Sequence, residues 1–94
     1  MSTYKASRLS DGNKLFPSII HIDQQAVTFK IPGFFNGKET TIPMSRISSV
    51  DIETPLIGFS TLIVETTGEG SIRAHGYTTS EVKEMKQDIL SKIL

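Results

Sequence analysis

His21 and His75 are the side chains best suited to carry a proton or bind a metal near neutral pH, and they are the only histidines in the chain. Each falls in the polar half of an alternating stretch, so both are expected on the solvent face of a strand. A metal would need more ligands than two imidazoles. There is no cysteine, which excludes disulfides, thiolate zinc sites and thiol nucleophiles. Asp51 and Glu53 share one strand face and have the right chemistry for acid and base roles. Their alternation with Val50 and Ile52, however, is the ordinary signature of an exposed face. Gly68-Glu69-Gly70 opens like a dinucleotide-binding loop, but Arg73 stands where the third glycine belongs and a strand follows. Gly37-Lys38 is followed by Glu39 rather than Ser or Thr, unlike a phosphate-binding loop. Ser60 lacks the glycine two positions on that a nucleophile elbow needs. No catalytic, cofactor-binding or metal-ligating set emerges, and a non-catalytic domain without a cofactor is expected.

Two groups suggest binding instead. Phe34 and Phe35 sit between Pro32-Gly33 and Asn36-Gly37, in a turn region. Exposed there, they would offer an apolar tip to a partner; buried, they would cap the core. Lys30, Lys38, Arg46 and Arg73 would serve an anionic head group if the fold brought them together, and would otherwise be solvated strand residues.

The elements that must position these residues follow from hydrophobic period. Period two dominates to about residue 76, and a helical period follows. Seven strands are expected: Thr3 to Leu9, Leu15 to Ile22, Ala26 to Ile31, Lys38 to Pro43, Ile47 to Glu53, Phe59 to Thr66, and Ser71 to Gly76. Tyr4 and Ala6 share a face of the first. In the second, Phe16, Ile20 and Ile22 are set apart from Ser18, and Pro17 belongs at an edge or a strand start. Asp23-Gln24-Gln25 reads as a hairpin turn, and Thr67-Gly68-Glu69-Gly70 as another. A helix is expected over about 79–93. Thr78 and Glu81 fit a capping box, and Val82, Met85, Ile89 and Ile93 form one apolar stripe. Asp88 and Lys92 are spaced to pair.

The chain has 94 residues, enough for one domain over 1–94. Ten basic side chains balance ten acidic ones, so no net field draws the chain to nucleic acid or an anionic membrane. No apolar run approaches the roughly 20 residues of a membrane span. The N-terminus does not read as a signal peptide, and a cytoplasmic location is expected.

Seven short antiparallel strands leave unpaired edges unless the sheet curls and closes. A strongly bent antiparallel barrel or sandwich, covered by one C-terminal amphipathic helix, satisfies both strands and helix. Within it, Ile42-Pro43-Met44-Ser45-Arg46-Ile47-Ser48-Ser49-Val50 follows a glycine turn at Asn36-Gly37. This stretch resembles the bacterial pleckstrin-homology-like (PH-like) domain family, whose members carry Ile-Pro-Leu-x-x-Ile-x-x-Val there; Met44 replaces the leucine. The resemblance covers most of residues 15 to 90. It implies a PH-like interaction module working by protein–protein contact or self-assembly, since some stand-alone members form ring-shaped homo-oligomers. Peripheral binding of anionic lipid is the alternative, though the first hairpin loop holds only Lys14 as a cation, where lipid-binding PH domains carry several. A small-ligand or enzymatic site in a barrel-end pocket is the second alternative.

Overall fold

The structure is a computed structural model and describes residues 2–7, 17–33, 37–68 and 70–93. Its first sheet holds β1 (Ser2–Lys5), β2 (Ile19–Ile22), β3 (Ala26–Ile31) and β4 (Lys38–Pro43), in that order. A single 3-10 turn, Met44–Arg46, leads into the second sheet of β5 (Ile47–Glu53), β6 (Ser60–Thr66) and β7 (Ser71–Tyr77). Helix α1 (Thr79–Ile93) follows. All strand pairs are antiparallel. The mainly β reading with one C-terminal helix therefore holds.

Alternation gives each sheet an apolar inner face. In the second sheet, cross-strand rows Val50–Val64–Ile72 and Ile52–Leu62–Ala74 point inward. In the first, Ile22–Val27–Ile42 forms one inner row and Tyr4–Ile20–Phe29 another. The helix lies over β5, β6, the 3-10 turn and β2. Its Val82, Met85 and Ile89 are fully buried in the core, and Ile93 packs against it.

Backbone bonds join the sheets at their corners. Ser7 N–H donates to Gly76 O (2.7 Å), linking the chain after β1 to β7. Met44 N–H donates to Gln25 O (2.8 Å), and Thr67 N–H donates to Arg46 O (2.9 Å). At the β2–β3 hairpin, one Asp23 carboxylate oxygen accepts from Gln25 N–H and Ala26 N–H, both at 2.8 Å. Those two backbone donors hold the Asp23 carboxyl below its ordinary pKa.

Some boundaries differ from expectation. β1 is shorter, ending at Lys5, with residues 8–16 lying outside the described residues. β2 begins at Ile19, because Pro17 has no amide for a ladder. β6 begins at Ser60 and β7 extends to Tyr77. Ser18 is not set apart from the core, since it is buried on the same side as Ile20 and Ile22.

Tyr77, the largest fully buried side chain among the described residues, lies outside the strand span read from the period. Strict alternation would put it on the face of Arg73 and His75. Instead the register shifts, with Thr61 opposite His75 and Ser60 opposite Tyr77. Gly76 is the extra residue, at φ +112°, a conformation suited to glycine. The bulge turns Tyr77 into the core. There its hydroxyl donates to the Ser18 carbonyl (3.1 Å) and lies 3.3 Å from Ser18 Oγ.

The helix start matches its sequence signature. Thr78 Oγ1 accepts from Glu81 N–H (3.1 Å), and Glu81 Oε1 accepts from Thr78 N–H (2.9 Å). Asp88 and Lys92 form the expected ion pair. Thr78→Ala should cost about 1 kcal/mol by urea unfolding, and a loss below a few tenths would show the cap to be idle.

Burial pushes the Tyr77 hydroxyl up from 10.0 to about 12, with the Ser18 bond opposing in part and Glu81 adding to the rise. A raised folded pKa means stability present below pH 10 and lost as pH climbs toward 12. Tyr77→Phe should lower stability by about 0.5–1.5 kcal/mol at pH 7, because the Ser18 carbonyl loses one of its two donors and keeps Ala6 N–H (2.8 Å). That deficit should shrink or reverse between pH 10 and pH 12, since wild type alone then pays to keep the buried phenol protonated. Tyr4 is also raised, by partial burial and its bond to Glu84, but it is common to both proteins and cancels. A deficit unchanged across that window would show Tyr77 to be hydrated.

Candidate functional site

The core consumes the inward rows, so chemistry available to a partner sits on the outer faces and loops. On the second sheet the register aligns Asp51–Ile63–Arg73 and Glu53–Thr61–His75 outward. Arg73 Nη2 donates to Glu53 Oε1 at 2.8 Å, with both side chains more than half exposed. Such a pair contributes at most about 1 kcal/mol, so it shapes the surface more than it stabilises the fold. His75 Nδ1 lies 2.8 Å from Thr61 Oγ1. These residues, with Thr54, Pro55 and Phe59, line an open cleft of about 660 Å³.

Beside the cleft, the β5–β6 loop carries Leu56 and Ile57 outward. Their exposures of 105% and 91% leave them wholly in water. The loop's shape has local causes. Pro55 cannot continue the β5 ladder, and Gly58 at φ +105° turns the chain back toward Phe59. Four of the five residues from Pro55 to Phe59 are apolar, and only Phe59 is partly sheltered.

The first sheet carries a smaller cleft of about 300 Å³, lined by Thr3, Ile19, His21, Thr28, Lys30 and Glu39. Thr3 Oγ1 lies 2.8 Å from His21 Nδ1, and Lys30 lies 4.0 Å from Glu39. The two histidines therefore occupy outer faces of different sheets. Among the described residues, no three His, Cys, Asp or Glu side chains cluster so as to hold a metal.

Phe34 and Phe35 lie outside the described residues. Lys30 faces Glu39 across the β3–β4 ladder while Lys38 faces Ile31, which puts the two lysines on opposite faces. Arg46 ends the 3-10 turn. Arg73 lines the cleft of the second sheet, and Lys30 lines that of the first. The four cations do not line one common cleft. Leu56 and Ile57 were missed by sequence reasoning. Their signal was a run of adjacent apolar residues between a Thr-Pro stop and a glycine, with no strand or helix period to draw it inward.

Among the described residues, no helix is long and apolar enough to cross a membrane. No curated protein matches the chain. The family model for the bacterial PH domain matches residues 16–93, the span from the approach to β2 through nearly all of α1. The match covers most of the chain, and with the two antiparallel sheets and covering helix it places this protein in the bacterial PH domain family.

Proposed function

We propose that this chain is a non-catalytic interaction module that binds a polypeptide through the Leu56–Ile57 loop and the adjoining cleft. Membership of a PH-like family supports an interaction role. The observation that carries the reading is the placement of two large aliphatic side chains in water. Only 37% of residues are apolar, and a domain this small needs most of them for its core. Covering Leu56 and Ile57 with a partner would recover about 1.5–3 kcal/mol for each. The cleft beside them adds a guanidinium, a carboxylate and an imidazole for orientation. Phe34 and Phe35 remain a proposed second contact. Anionic lipid binding through Lys30, Lys38, Arg46 and Arg73 has less support, because Lys30 and Arg73 each face a carboxylate.

Leu56→Ser with Ile57→Ser should leave the unfolding free energy within about 0.5 kcal/mol of wild type, as for surface positions generally. A photo-crosslinking residue at position 57 should give a discrete polypeptide adduct in cells, lost when Leu56→Ser is added. The same residue at exposed Lys83 should give none. Adducts equal at both positions, or with lipid only, would overturn the reading. So would a serine variant that loses more than 1 kcal/mol, because the loop would then belong to the fold.

A further inference from the structure

We infer that the outer face of β5–β7 pairs with the same face of a second copy of this chain, about a two-fold axis parallel to the strands. This rests on the protein-contact reading above and names the partner. The face is electrically divided. Its acidic residues Asp51 and Glu53 lie on β5, while Arg73 and His75 lie on β7. Thr61 and Ile63, each only 8% exposed, lie between them on β6.

Two such faces stack about 10 Å apart, with strand directions within about 30°. A two-fold axis running along β6 lays β5 of one copy over β7 of the other. Asp51 then faces Arg73 of the second copy, as a second carboxylate beside the Glu53 that Arg73 already bonds in its own chain, and Glu53 faces the second copy's His75. Both contacts occur twice, as a two-fold contact requires. A two-fold axis across the strands would set acid over acid and base over base, so charge selects the first arrangement. The first arrangement also brings both β5–β6 loops to the same end, where Leu56 and Ile57 of the two copies cover one another. A net charge of zero leaves no long-range repulsion between copies. Glu65 opposes the pairing, because it sits on β6 and meets its own symmetry mate at the far end.

The area sets the strength. Seven-residue strands span about 23 Å, and three strands about 14 Å, which is roughly 300 Å² before the loops are added. This falls short of the roughly 800 Å² per partner of a standard interface. The pair is therefore a weak one, dissociating in the micromolar range or above.

Sedimentation of the purified chain from about 1 µM to 1 mM tests this. Wild type should pass from monomer to dimer. Asp51→Arg and Arg73→Asp, each alone, should weaken association at least tenfold, because each sets like charges together in both symmetric contacts. An equimolar mixture of the two variants should form a mixed dimer, since every arginine then faces an aspartate. Glu65→Gln should tighten association several-fold by relieving the repulsion on the axis. Wild type that stays monomeric to 1 mM overturns the inference whatever the variants do. So does a mixture that associates no better than its components. A monomer whose position 57 still crosslinks to a different polypeptide would remove the self-pairing and leave the proposed function standing.

Discussion

The fold depends on one extra residue in β7. Gly76, at a φ open to glycine and strained for other residues, breaks the alternation of Ile72, Arg73, Ala74 and His75. The break sends Tyr77 inward and offers the Gly76 carbonyl to Ser7. Two separate sheets are thereby joined at one corner, by a backbone bond on the rim and a phenol in the core. The phenol is tolerated there because its hydroxyl has the Ser18 carbonyl to donate to; an unpaired hydroxyl at that depth would cost about 1–3 kcal/mol. The helix starts directly after Tyr77, so the same bulge also sets where α1 lands on the sheets.

With the corner closed, inner and outer faces are assigned and the surface follows. The rows that face away from the core carry acids on β5 and bases on β7, and the regular antiparallel register between the two bulges brings them level across β6. The β5–β6 loop leaves the sheet where the Arg73–Glu53 pair lies. The apolar loop and the charged cleft are therefore neighbours by topology, although Glu53 and Arg73 are twenty residues apart in sequence.

Features set by short-range chemistry were readable before the structure. The inner rows of β5, β6 and β7 follow period two, and that of β3 does so through Val27 and Phe29 while Ile31 at its end is exposed. The Thr78–Glu81 box and the Asp88–Lys92 pair follow spacings of three and four. Tyr77 was unreadable because a bulge shifts every later residue to the other face, and nothing short of the partner strand reveals it. Ser18 was misread because a small hydroxyl looks polar until its partner across the core is known. Leu56 and Ile57 escaped because adjacent apolar residues in a loop carry no period. Composition alone assigns them to a core that the backbone takes them away from. Lys30, Lys38, Arg46 and Arg73 were grouped by charge, whereas strand parity and sheet membership distribute them.

The balance of charge illustrates the difference between what composition excludes and what placement allows. Ten cations and ten anions give no field at a distance, so long-range steering toward nucleic acid or a charged membrane has no source in the chain's net charge. Complementarity at contact needs no net charge. It needs opposite signs at fixed separation on one rigid surface, and an antiparallel sheet supplies that at two-residue intervals along each strand. A domain of this size fills its interior with its own side chains. Recognition must then be written on outer rows and loops, where each residue's effect depends less on its type than on which strand carries it and which face it takes.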